Sequence, residues 1–215
     1  MEEKNNDESQ NQYENDLDFS EMKWEEEIFD ILESNFEKSK NSPNPIEAYK
    51  EIIELERSNT KSVKFNFKSN VELAIIYINN NEPEFKNSIN IISELYKKIE
   101  ESDKTKAKDK LCSFIDNLPD IERQIKLYEI IREVFLENKL LNESFEFGFI
   151  ICDKVLKKKK YNEYNKFLPS LIEDIDDFKE NNIAKIIKTK ITEIENQISK
   201  EDNEDNNENK YKNNY

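Results

Sequence analysis

The sequence predicts an all-α fold in which pairs of helices stack as a right-handed solenoid. Apolar residues recur at helical spacing after Pro45 and again after Pro83. These two prolines lie 38 residues apart and Pro119 follows after 36 more, a recurrence typical of stacked helix pairs. The chain also has a single glycine, whereas sheets joined by tight turns need more. The predicted fold is therefore tetratricopeptide-like.

The same spacing predicts nine helices between two polar ends. Residues 1–17 are too acidic and polar to bury a core, so we expect a disordered tail there. A helical-repeat domain is predicted over 18–199, and a disordered polar tail over 200–215. Pro169 is expected to kink the eighth helix. The predicted helices cover about 18–38, 45–57, 62–80, 83–101, 103–117, 121–138, 143–159, 161–178 and 181–199.

Apolar positions within these helices predict the core. The third helix is apolar on much of its circumference, so we expect it to pack on both sides and to bury Ile75. Gly148 lies between two phenylalanines in mid-helix, where a close helix–helix contact is expected. Cys112 and Cys152 are predicted to be reduced, buried core residues of a cytoplasmic or nuclear protein. One face of the first helix is predicted to carry Trp24, Ile28, Ile31, Leu32 and Phe36.

Composition excludes several classes of function. The net charge of −15 argues against general nucleic-acid binding, because phosphate backbones repel an acidic protein. No apolar run is long enough to cross a bilayer. The chain has no histidine, which removes the commonest general base and most catalytic zinc sites. The acidic pairs, such as Glu173 with Asp174, are expected on solvated helix faces rather than in a metal site. We therefore predict no catalytic residue, no metal and no cofactor.

Three lysines form the candidate binding site. Lys61, Lys64 and Lys68 lie at the entry to the third helix, and a helix would place Lys64 and Lys68 on one face. Cations are disfavoured near a helix start, which makes this cluster a candidate contact for an anion or an acidic partner. The alternative is a solvated surface. Lysines 157–160, at a helix end, suit the helix macrodipole instead.

Three stretches resemble the helical-repeat region of the PCI-family scaffold subunits of the COP9 signalosome. They are the acidic start EEKNNDESQNQYENDLDF, the helix PIEAYKEIIELE with the basic aromatic segment VKFNFKSNVELAIIYI after it, and the region from LYEIIREVFLENKLL to YNKFLPSLIEDI. The paralogous scaffold of the proteasome lid has similar repeats. Family members continue into a C-terminal winged-helix PCI module, for which this chain has no room after its repeats.

The resemblance implies a non-enzymatic scaffold in a COP9-signalosome-like complex, with other signalosome subunits and a cullin-RING ligase as partners. Any protein deneddylation activity would then belong to another subunit. The resemblance also implies that Lys68 helps to bind an inositol polyphosphate. The alternatives are a free-standing tetratricopeptide-like adaptor that binds a peptide or protein partner, and a proteasome lid subunit.

Overall fold

The computed structural model describes residues 24–158, 171–174, 176 and 182–212, and the regular structure within them is entirely helical. The predicted all-α class is therefore confirmed. The predicted disordered segment 1–17 and the kink at Pro169 lie outside these residues. In chain order the helices are α1 (24–39), α2 (Pro45–Asn59), α3 (Lys64–Asn80), α4 (Phe85–Leu95), α5 (Glu101–Asp116), α6 (Ile121–Glu137), α7 (Leu141–Lys158), α8 (171–174) and α9 (Asn182–Lys212).

Contacts divide the chain into two compact units, Met1–Lys108 and Asp109–Tyr215. The boundary falls inside α5, whose first half belongs to the first unit and whose second half belongs to the second. In the first unit α3 packs against both α2 and α4. In the second, α7 packs against both α6 and α9. Helices of the first unit therefore pack against their neighbours in sequence, and in the second unit α7 also packs against α9, the next helix but one.

The local sequence explains how the helices of the first unit begin and end. Pro45 is the first residue of α2, where its missing amide costs no hydrogen bond. Asn81 ends α3 in the left-handed conformation, with φ of 59°, which asparagine tolerates better than most residues. The connections before and after α3 are four residues each, and such short links return each helix along the one before it. The buried side chains of this core are Ile28, Leu32, Phe36, Tyr49, Ile52, Ile53, Phe65, Leu73 and Tyr77.

Helix α3 packs on both sides, as predicted, but Ile75 is only half-buried. Successive residues of a helix are about 100° apart, so Ile75 falls on the stripe that also carries Lys64, Lys68 and Glu72. That stripe is the most exposed side of α3. The prediction that Ile75 is a core residue was wrong, and Ile78, which is 1 % exposed, has that role instead.

Helix α1 also differs from the prediction. Ile28, Leu32 and Phe36 are buried, whereas Trp24 is 54 % exposed and Ile31 is 46 % exposed. The five apolar residues span too wide an arc for one contact, and the core covers only the side centred on Leu32. A second apolar stripe is thus left on the surface of the first unit.

Local sequence explains two features of the second unit, a helix cap and the close contact predicted at Gly148. The Asp120 side chain caps α6 by accepting a hydrogen bond from the Glu122 amide at 2.9 Å. A Cβ atom at Gly148 would lie 3.0 Å from Leu171 Cδ1 and 3.7 Å from Ile187 Cδ1. Glycine therefore allows α7 to approach α8 and α9 closely.

The last helix is longer than predicted. Its apolar stripe, with Ala184, Ile187, Ile191 and Ile194 buried, stops near the predicted end at 199. The helix nevertheless continues to Lys212, through residues predicted to be a polar tail. Glutamate and lysine are good helix formers, and extending an existing helix is far easier than starting one.

Neither Cys112 nor Cys152 forms a disulfide, and Cys152 is buried whereas Cys112 is half-buried. Helix α4 ends earlier than predicted, at Leu95, and a single 3₁₀ turn, Tyr96–Lys98, leads towards α5. These differences change the ends of helices and the exposure of individual residues, but the fold class remains all-α.

Candidate functional site

The structure brings two of the three predicted lysines together around one buried carboxylate. The side chain of Asp103, in the first turn of α5, is 8 % exposed. Lys64 Nζ lies 3.7 Å from Asp103 Oδ2, and Lys68 Nζ lies 3.9 Å from Asp103 Oδ1. Lys61 is in the exposed loop before α3. The predicted helical register of Lys64 and Lys68 is correct, and their common neighbour is an acid of the same unit.

Aromatic rings complete this cluster. Lys64 Nζ is 5.3 Å from the centre of the Phe29 ring, and Lys68 Nζ is 5.5 Å from the centre of the Phe65 ring. The two rings meet edge to face, with centroids 5.1 Å apart. Each ammonium group therefore lies in the electron-rich field of a ring as well as near a carboxylate. The cluster ties α1, α3 and the start of α5 together.

Partial burial lowers the pKa of Lys68. The positive charges of Lys64 and Lys106 lower this pKa further, while Asp103 and Glu33 raise it. The nearby negative charges therefore do not fully offset the effects of burial and of the other lysines on the pKa of Lys68. An additional anion beside this lysine would stabilise its charged form.

The start of α3 is already occupied by a second carboxylate. Glu56, near the end of α2, is fully buried. Its Oε1 accepts the Phe65 amide at 2.9 Å, and its Oε2 accepts the Asn66 amide at 2.6 Å. A helix N-terminus is the place where a phosphate would bind, because free amides point out of it. Here the carboxylate of the preceding helix takes that position.

The lysine cluster therefore has a structural role whether or not it binds a ligand. Asp103 is paired with two of the lysines, and Glu56 accepts the amides that a phosphate at this helix start would use. This arrangement could hardly be predicted from the sequence, because Asp103 lies far from the lysines in sequence and has the pattern of a helix-capping residue. Glu56 likewise falls among several other acids of α2, most of them exposed.

A second candidate is a groove in the same unit. It lies between α1 and α2, with a volume of about 590 Å³, and polar and apolar groups both line it. Asn35 and Lys38 line it from α1, and Ala48, Glu51 and Leu55 line it from α2.

The exposed apolar residues of α1 continue this groove. Trp24 and Ile31 are seven residues apart, and Asn35 and Lys38 follow at intervals of four and three. Such intervals place all four on one side of a helix. Trp24 and Ile31 do not line the groove, but they lie beyond it on the same side of α1, and this apolar extension contains the protein's single tryptophan. The sequence could have revealed this stripe, had the width of the apolar arc been compared with one helix contact.

The polar interior of the second unit is occupied by paired side chains. Arg132, 1 % exposed, pairs with Asp174 of α8, so the predicted solvated acidic cluster contains a buried ion pair. Lys154 Nζ lies 2.7 Å from Asp116 Oδ1 and donates to Gln124 Oε1 at 2.9 Å. Such pairs fix how the helices pack against one another.

The buried hydroxyl of Tyr128 and the buried thiol of Cys152 are chemically unreactive. Burial raises the pKa of Tyr128, whose hydroxyl donates to Asp116 Oδ1. Burial also raises the pKa of Cys152 to about 12. A thiol with that pKa is protonated at neutral pH and is a poor nucleophile.

Within the residues that the structure describes, no group of three potential ligands is arranged to hold a metal ion. None of the helices described combines the length and apolar character of a bilayer span. Comparison of the chain with models of protein families, with curated proteins and with solved structures finds no match.

Proposed function

We propose that the chain is a non-enzymatic scaffold that binds other proteins, in which the helix pairs form a right-handed tetratricopeptide-like solenoid. The observation that carries the proposal is the groove on α1 and α2 with its apolar extension through Ile31 to Trp24. Solvent-exposed large apolar residues gathered on one helix beside a groove mark a surface for a partner. The inert protonation states of the buried tyrosine and thiol groups are consistent with this role.

We further propose that the assembly is similar to the COP9 signalosome, with a cullin-RING ligase as a partner and with both cytoplasm and nucleus as its location. The resemblance of residues 14–178 to the PCI-family scaffolds supports this assignment. The second candidate is a free-standing adaptor that binds one peptide or protein, and the exposed stripe on α1 favours it equally. Membership of the proteasome lid is the paralogous alternative.

Affinity capture with the full tagged chain, read by quantitative mass spectrometry, separates these candidates. Recovery of several signalosome subunits in equal amounts supports the scaffold assignment. Recovery of lid subunits supports the paralogous one, and a single stoichiometric partner supports the adaptor. Failure to enrich any protein above a tag-only control would contradict the proposed function.

The proposed anion contact at Lys61, Lys64 and Lys68 needs a test that does not break the fold. Reversing the charge of Lys64 and Lys68 would leave Asp103 buried beside new acids, so loss of binding would be ambiguous. Asp103→Asn is more informative, because it removes the acid that competes with a phosphate and keeps the side-chain shape.

Calorimetry with an inositol polyphosphate should then show weak binding to the wild type and tighter binding to Asp103→Asn. Lys61→Ala, in the exposed loop, should weaken binding without changing the melting temperature. Binding should fall steeply with salt, since the site is open to solvent. Equal heats for all three proteins, or none, would show that the lysines serve the fold alone.

A further inference from the structure

The groove of α1 and α2 with its apolar extension is bordered by acidic side chains. Glu27 is exposed next to Trp24 and Ile31 on α1, and Glu51 lines the groove from α2. The surface ion pairs of this hairpin, at 2.6–3.1 Å, involve Glu37, Glu47 and Glu54 instead. Residues 24–59 carry ten acids and four bases. The apolar stripe of Trp24 and Ile31 therefore lies between negatively charged side chains. Lys38 adds one basic group at the groove end of α1.

We infer that this surface binds a basic amphipathic helix from a partner protein, an inference that rests on the proposed protein-binding function. Two antiparallel helices leave a shallow groove that accepts a third helix. The intervals from Trp24 to Ile31 and Asn35 match the spacing of one face of such a helix. Lysine or arginine on both flanks of its apolar face would meet Glu27 and Glu51, which steers association and sets the orientation.

Charge excludes the other occupants available from this protein. A second copy of the chain carries the same net charge of −15 and the same acidic hairpin. Residues 1–23 contain eight acids and two lysines, and residues 200–215 contain five acids and three lysines. Each of these would bring negative charge to a negative border. A basic partner is the complementary choice.

The single tryptophan makes the inference directly measurable, because all tryptophan fluorescence of the protein comes from Trp24. The probe is a synthetic helix-forming peptide of about 18 residues, roughly 27 Å long, with leucines on one face and lysines on the other. Two control peptides are needed. One has the same composition in an order that gives no apolar face, and the other has glutamate in place of lysine.

Titration of the full chain with the amphipathic basic peptide should shift Trp24 emission to shorter wavelength as water leaves the indole. Neither control peptide should do so at the same concentrations. Ile31→Asp should weaken binding about tenfold or more, the effect of placing a charge against an apolar face. Ile186→Asp is the matched control, because Ile186 is 53 % exposed in the other unit, and it should bind like the wild type.

Charge-reversal variants of α1 distinguish a specific contact with Glu27 from general attraction to the net negative charge of the protein. Glu27→Lys should weaken peptide binding at low salt and flatten its dependence on salt. Glu26→Lys makes the same change of net charge on the opposite side of α1 and should have little effect. Equal effects of the two variants, or a wavelength shift with the scrambled peptide, would overturn the inference in favour of general electrostatic attraction.

Two further outcomes separate this inference from the proposed function. If Ile31→Asp captures the same proteins as the wild type, another surface binds them, and the inference fails while the proposed function stands. If sedimentation shows a dimer of the wild-type chain that Ile31→Asp dissociates, a second copy occupies the stripe and the basic partner is excluded.

Discussion

At the scale of single residues, buried polar side chains decide how the first unit is held together. Glu56 accepts two amides at the start of α3, and Asp103 lies between two lysines. Ser69, by contrast, is fully buried, and within the described part of the chain its hydroxyl makes no hydrogen bond. Buried polar groups stabilise a fold when they are paired and destabilise it when they are not. These residues therefore respond differently to substitution.

Glu56→Ala should lower the free energy of unfolding by about 2–4 kcal/mol, because two amides of α3 lose their acceptors in a buried environment. Glu56→Gln keeps one acceptor oxygen and should cost about half as much. Chemical denaturation of the purified variants measures both. Glu54→Ala is the matched control on the exposed side of α2, where loss of the surface pair with Arg57 should cost less than about 0.5 kcal/mol. An effect of Glu56→Ala no larger than this control would show that α3 does not need its cap.

Ser69→Ala should raise the free energy of unfolding by about 1 kcal/mol, since it removes a buried hydroxyl without a partner. Ser93 is equally buried, but its hydroxyl donates to the Asn90 carbonyl at 2.7 Å. Ser93→Ala should therefore be neutral or destabilising. Melting temperatures of the two variants, measured side by side, give the comparison. Destabilisation by Ser69→Ala would mean that the hydroxyl has a partner in solution, such as a water molecule.

At the scale of elements, the sequence predicts where helices form better than it predicts which side of each helix is buried. Pro45 and Asp120 mark helix starts through backbone chemistry that acts within one turn, so both could be predicted from neighbouring residues alone. The prediction that Ile75 is a core residue was wrong, and Ile31 is exposed although it was placed on one face with the buried residues of α1, because burial depends on which neighbouring helix covers each side. The pairing of Asp103 with Lys64 depends on contacts between helices far apart in sequence, and periodicity carries no such information.

The faces of α3 can be compared by one substitution made at two positions. Ile78→Asp should cost more than about 4 kcal/mol or prevent folding, because an unpaired charge would be buried. Ile75→Asp should cost about 1 kcal/mol, since the half-exposed carboxylate keeps much of its water. Soluble yield and denaturation midpoints report both effects. Equal losses at the two positions would contradict the orientation of α3.

The continuation of α9 can be tested by truncation. Deleting residues 200–215 should lower the total helical signal in far-UV circular dichroism and leave the signal per residue nearly unchanged, since most of the deleted residues belong to α9, which runs to Lys212. It should leave the melting temperature almost unchanged, because the buried apolar residues described in α9 lie before residue 199. A helical signal per residue that rises on truncation would restore the predicted polar tail.

At the scale of the whole molecule, charge is the dominant property. A net charge of −15 on 215 residues means that folding brings many like charges closer together. Ion pairs such as Lys190 with Asp153, 3.2 Å apart, offset this repulsion locally. The balance between the two effects sets how the protein responds to salt.

Raising sodium chloride from low to physiological concentration should stabilise the protein by roughly 1 kcal/mol, equivalent to about 2–4 °C in melting temperature at this chain length. Screening weakens the long-range repulsion more than it weakens partly buried pairs. A thermal melt followed by circular dichroism at several salt concentrations provides the measurement. A falling melting temperature would mean that the ion pairs outweigh the net repulsion.

The hydrogen bonds to Glu56 also make amide exchange at the start of α3 sensitive to the separation of α2 from α3. Amides in the first turn of a helix usually exchange their protons with water quickly, because they have no partner within the helix. The amides of Phe65 and Asn66 are instead bonded to a side chain of α2, so they can exchange only when α2 and α3 separate. Their exchange rates, read by nuclear magnetic resonance, would therefore measure how often this helix hairpin opens, without unfolding the rest of the protein.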